Sequence, residues 1–70
     1  MNDTINIIVN GHMETVPGPS TIHSLIHLFK EYDGDLIVEY NGRFIYPQKY
    51  AETTIREGDI IEFINPNIGG

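Results

Sequence analysis

With 70 residues the chain lies near the lower limit for a domain that folds around one apolar core, so residues 1–70 are expected to form a single domain. Its 40% hydrophobic content, set in alternating runs, excludes disorder, and no apolar run approaches the roughly 18 residues of a membrane span. Ten acidic against four basic residues, a net charge of −6, argue against nucleic acid and membrane surfaces as partners, and the lack of cysteine removes disulfides, thiolate metal sites and cysteine nucleophiles. The first residues carry neither positive charge nor a long apolar run of signal-peptide kind, so a cytoplasmic location is the expectation.

Thr4-Ile5-Asn6-Ile7-Ile8-Val9 is rich in β-branched residues and predicts a first strand, closed by Asn10-Gly11, a pair that tolerates the positive φ of a tight hairpin. His12 to Val16 returns antiparallel. A two-residue loop sets Ile7 opposite Glu14, whereas a bulged three-residue loop pairs Val9 with Met13; the bulged register is the one expected. Pro17-Gly18-Pro19 stops this strand, because neither proline donates to a ladder. Ser20 or Thr21 caps a helix expected to run to about Tyr32, with Ile22, Leu25, Ile26 and Phe29 at the spacing of one buried stripe. Asp33-Gly34-Asp35 ends the helix. Leu36 to Tyr40 predicts a third strand, Asn41-Gly42 a second hairpin turn, and Arg43-Phe44-Ile45-Tyr46 its short return. After Pro47, residues 48–54 read as a turn or one helical coil, and Glu57-Gly58-Asp59 turns the chain into a last strand over Ile60 to Ile64.

Hairpin, helix, hairpin and final strand in that order make an α+β fold of ubiquitin-like β-grasp type, with a mixed sheet of four to five strands packed on one helix and residues 65–70 as a flexible tail. A ferredoxin-like fold would need a second helix that the pattern lacks. Conventional catalytic constellations are missing: there is no Gly-rich phosphate loop, no GxSxG elbow and no HExxH. His23 and His27 share a helix face, but no third ligand is positioned beside them, so the expectation is a solvated or half-buried pair and no metal. Asp33, Asp35, Glu57 and Asp59 fall in turns, where short carboxylates cap backbone amides.

The chain end does not read as structural. Gly69 and Gly70 add nothing to a core and are the costliest residues to order. A frayed terminus is the alternative account, and a Gly-Gly taken alone is a weak signal. In combination they say more. Val9-Asn10-Gly11, Pro17 to Thr21, Leu25, Val38-Glu39-Tyr40-Asn41-Gly42, Pro47, Tyr50-Ala51-Glu52-Thr53, Ile55, Gly58-Asp59 and Gly69-Gly70 together resemble the ubiquitin-like sulfur carriers over nearly the whole chain, most closely the thiamine sulfur carrier family. Tyr50 stands where that family more often has tryptophan, and Pro66 is reminiscent of the small subunit of molybdopterin synthase.

The resemblance implies that an ATP-dependent adenylating enzyme of ubiquitin-activating type joins the Gly70 carboxylate to AMP. A persulfide donor then converts it to a thiocarboxylate, which thiazole synthase uses to build thiazole phosphate. The chain is then a co-substrate and not a catalyst, binds no cofactor itself, and presents Pro66, Asn67, Ile68 and Gly69 as the recognised tail. Glycine at the end lets the tail thread a narrow channel with no Cβ in the way. The exposed return strand points to Phe44, Ile45 and Tyr46 as a partner interface, with Arg43 beside Tyr40 and Tyr46. Sulfur delivery to molybdopterin, a ubiquitin-like modifier forming an amide from Gly70, and a plain interaction module remain as alternative uses of the same scaffold.

Overall fold

The computed structural model describes residues 3–66. In chain order it comprises β1 (Thr4–Val9), β2 (His12–Pro17), β3 (Ser20–Thr21), α1 (Ile22–Leu28), β4 (Ile37–Tyr40), β5 (Arg43–Ile45), a 3₁₀ helix (Pro47–Glu52), β6 (Thr54–Ile55) and β7 (Ile60–Ile64). Five strands form one mixed sheet in the order β2-β1-β7-β4-β5, and β3 pairs with β6 in a small second ladder. β1 runs parallel to β7 while the other neighbours are antiparallel, the β-grasp arrangement the element order predicts.

The first hairpin corrects the expected register. β1 and β2 pair Ile7 with Glu14 and Val9 with His12, which leaves Asn10-Gly11 as a two-residue loop and no bulge. Both loop residues take positive φ, 50° and 83°, the mirror-image turn whose twist matches paired strands. Burial explains the choice. In this register Val16 lies opposite Ile5 and is buried on the helix side, while Met13 faces out; a slip of one residue would exchange them.

The helix is also shorter than expected, ending at Leu28 and not near Tyr32. Lys30 adopts φ 56°, its N–H reaches the carbonyl of His27, and the N–H of Glu31 reaches that of Ile26 at 2.9 Å. This is a Schellman closure with lysine in the left-handed position usually held by glycine, so no residue type announced it. The start is conventional: Thr21 Oγ1 accepts from the Ser24 N–H and Ser24 Oγ accepts from the Thr21 N–H, a reciprocal capping box.

The predicted stripe forms the core. Ile22 and Leu25 are fully buried against Ile7, Val9, Val16, Val38, Ile55, Ile61 and Phe63, with Ile26 and Phe29 packed at its edge. Beneath the turn after β2, the buried Ser20 hydroxyl donates to the carbonyl of Pro17. The β3–β6 ladder, which the sequence reading lacked, brings residues 20–21 and 54–55 together beside the helix entrance.

Candidate functional site

The site expected from the sequence lies beyond β7, and the structure describes the strand that leads to it as far as Pro66. β7 lies in the middle of the sheet, hydrogen-bonded to β1 on one side and β4 on the other. Where those strands run out, the two Asn-Gly turns continue the pairing. Asn10 accepts the Phe63 N–H on its side-chain oxygen at 2.8 Å, and its own N–H donates to the Ile61 carbonyl at 3.0 Å. Across the strand Asn41 repeats the device, accepting the Ile60 N–H on Oδ1 at 2.8 Å and donating its backbone N–H to the Ile60 carbonyl at 2.7 Å. Asparagine is apt for both tasks, since it tolerates the left-handed backbone of the turn and carries a side-chain carbonyl to replace a missing strand partner.

Asp59 secures the entrance to β7. Its carboxylate accepts from the Tyr40 hydroxyl at 2.7 Å, the Arg56 N–H at 2.8 Å and Asn41 Nδ2 at 3.1 Å. Burial alone would raise the Asp59 carboxyl, but the Tyr40, Arg56 and Asn41 hydrogen bonds and the charge of Arg56 outweigh it and hold the group below its ordinary value. The hydrogen bond to Asp59 pushes the Tyr40 hydroxyl up, helped by burial and by the carboxylate's charge. Glu57 accepts the Asn6 N–H at 2.9 Å, and Asp33 accepts that of Asp35. These turn acids are backbone caps, as their positions predicted.

At the exit of β7, half-buried Asn65 donates from Nδ2 to Glu31 Oε1 at 3.2 Å, tying the base of the tail to the residue that closes the helix. Pro66 follows, exposed in a turn. Asn67, Ile68, Gly69 and Gly70, the remaining tail positions, lie outside the described residues.

The face of the sheet away from the helix is uncovered. Phe44 and Tyr46 are exposed there with their rings edge to face at 4.7 Å, whereas Ile45, paired with Val38, turns to the helix side. The expected interface trio is therefore divided between two faces, and Arg43, paired with Tyr40, lies on the face of Ile45. Met13, Ile60 and Ile64 join the exposed apolar set. The sequence reading missed these three; for Ile60 and Ile64 the signal was the alternation in β7, where Ile61 and Phe63 face in, and Met13 depended on the register of the first hairpin.

His23 and His27 are both exposed, with rings 4.7 Å apart, and Tyr32 meets His27 edge-on at 5.8 Å. Among the described residues no three histidine, cysteine or acidic side chains are grouped to hold a metal ion, and no helix among them is long and apolar enough to cross a membrane.

Comparison with known proteins agrees with this geometry. The sequence model of the ThiS family matches residues 4–70. The crystal structure of thiamine biosynthesis protein ThiS from Geobacter metallireducens is similar with a TM-score of 0.81 and 30% identity, covering 94% of this chain and 100% of that one. A search of curated proteins found no match. A mixed β-grasp sheet with its last strand at the centre, matched by a family model over residues 4–70, establishes that the chain belongs to the ThiS family of sulfur carriers of thiamine biosynthesis.

Proposed function

We propose that the protein is a co-substrate that carries sulfur as a thiocarboxylate on Gly70 and delivers it for thiazole formation. The observation that carries this reading is the family match through residue 70 on a chain whose last strand lies at the centre of the sheet, paired on both sides. A carboxylate is ionised at neutral pH and is a poor electrophile, because attack would have to expel an oxide. Activation is needed first. A Gly70 oxygen attacks the α-phosphorus of ATP on a ubiquitin-activating-type adenylating enzyme, pyrophosphate leaves, and an acyl adenylate forms. The terminal sulfur of a persulfide donor then displaces AMP, and a thiol cleaves the remaining S–S bond to leave the thiocarboxylate. Thiazole synthase receives that sulfur, and the whole cycle runs in the cytoplasm, with ATP consumed by the enzyme.

The body of the protein acts as a handle. Asn10, Asn41 and Asp59 keep β7 from sliding in the sheet, so Asn65 and Pro66 present the Gly69-Gly70 end from a fixed place. Asn67 and Ile68 lie in the partner's groove, where extended peptides are gripped by their backbone. Phe44 and Tyr46 contribute to the partner interface, and Ile45 supports them from the opposite face.

Intact-mass measurement after incubation with ATP, a persulfide donor and the adenylating enzyme tests the proposal. The expected result is a mass change equal to exchange of one oxygen for sulfur, absent when Gly70 is deleted. An unchanged mass, with the enzyme shown active on another carrier, would refute it.

A further inference from the structure

The open sheet face carries an apolar surface with two carboxylates set into it. Glu39 of β4 lies directly opposite Glu62 of β7, and both point away from the helix because their neighbours Val38, Ile61 and Phe63 are buried beneath the sheet. The next pair on the same face is Ile37 with Ile64, Phe44 flanks Glu39 on β5, and Ile60 precedes Glu62 along its strand. Phe44 is 50% exposed, Ile60 47% and Ile64 37%. From Ile60 the apolar row continues across β1 and β2 through Ile8 to Met13. Among the described residues neither Glu39 nor Glu62 has a side-chain hydrogen bond or an ion pair. Like charges directly opposite on adjacent strands, about 5 Å apart at Cβ, oppose folding, so the free protein gains nothing from this pair.

We infer that this face docks a partner protein that presents one arginine from apolar surroundings, with the guanidinium seated between Glu39 and Glu62. A guanidinium carries donors along a planar fork, so one group serves two carboxylates at once, and its weak hydration suits a site ringed by isoleucines. Phe44 supplies an aromatic face beside it. The surrounding apolar residues exclude water around the charge, the arrangement typical of a binding hot spot. A second copy of this chain does not complement the surface: it brings another net charge of −6 and the same unpaired carboxylates. A metal ion lacks further ligands there. We take that partner to be the adenylating enzyme, an assignment that rests on the proposed carrier function, whereas the arginine chemistry does not.

Two measurements on the full chain, wild type and E39Q/E62Q, decide the matter. In the first, amide NMR shifts are followed as Nα-acetyl-arginine amide is added at constant ionic strength. Perturbation concentrated at Glu39, Glu62 and Phe44 and abolished in the double variant is expected; perturbation spread over all acidic residues, or surviving in the variant, overturns the inference. In the second, adenylation kinetics are compared: KM should rise about thirtyfold with kcat unchanged, as for loss of a desolvated charge contact, while the variant's Tm rises because the repulsion is gone. An unchanged KM overturns the inference, as does a wild-type homodimer in sedimentation that buries Phe44. If the wild type takes up no sulfur but the arginine probe still binds at this site, the carrier reading fails and the docking surface stands.

Discussion

The two faces of β7 carry different duties within five residues. Ile61 and Phe63 are buried beneath the helix, whereas Ile60, Glu62 and Ile64 lie on the uncovered face. The inner face is buried in the core and holds the strand in place, while the outer face is exposed. Side-chain alternation thus gives one strand a buried face that anchors it and an exposed face that the proposed partner contact would use, and substitutions on the two faces should separate stability from transfer.

The largest expected effect is on the inner face. Ile61→Ala should cost about 3 kcal/mol by loss of burial and creation of a cavity, measured by urea denaturation. A cost below about 1 kcal/mol would mean that β7 is not the keystone of the sheet. Next is the entrance to the strand. Asp59→Asn should lose about 2 kcal/mol at neutral pH, since it weakens hydrogen bonds from Tyr40, Arg56 and Asn41.

The pH dependence follows from the same group. With its folded-state value lowered, Asp59 contributes stability that is fully present above its ordinary value of 3.8 and is lost as pH falls through the lower folded one. Tyr40 works in the other direction: its contribution is present below 10.0 and is lost as pH rises through the raised folded value. Denaturation at a series of acid pH values should therefore show a smaller acid loss for Asp59→Asn than for wild type; equal losses would assign the acid limb to other carboxylates.

Asn41→Gly keeps a residue suited to φ 50° but removes both the side-chain acceptor from the Ile60 N–H and the exposed donor to Asp59, so about 1 to 1.5 kcal/mol is expected. Asn41→Ala should cost more, because it also places a Cβ-bearing residue without local side-chain hydrogen bonding in the left-handed region. If the two variants are equally stable, backbone conformation is not what asparagine supplies. The smallest stability effect is on the open face: Phe44→Ala should change unfolding free energy by less than about 0.5 kcal/mol while raising KM for adenylation. Unchanged transfer would remove Phe44 from the interface.

Much of the scaffold was legible from local chemistry. Ile60 to Ile64 appears as a strand with the bounds predicted, the Ile22, Leu25, Ile26, Phe29 stripe faces the core, and both Asn-Gly pairs form turns. These depend on period, on β-branching and on which residues tolerate positive φ, all properties of short segments. The glycines at the end of the chain and the residues around the Gly-Asp turn likewise carried the family resemblance without any coordinates.

Tertiary structure decided what one segment does to another. Whether Val16 or Met13 faces inward depended on which lies over Leu25 and Ile22, so the two-residue loop prevailed over the bulge. The helix stopped early because Lys30 could take a left-handed conformation while Glu31 reached Asn65 at the far end of the chain. Nothing near Asn10 or Asn41 in sequence revealed that their side chains would finish the pairing of β7, and nothing near Glu39 that it would stand opposite Glu62. A sequence fixes torsional preferences over a few residues, but a hydrogen bond or a repulsion between residues 53 positions apart, as for Asn10 and Phe63, exists only once the sheet has assembled.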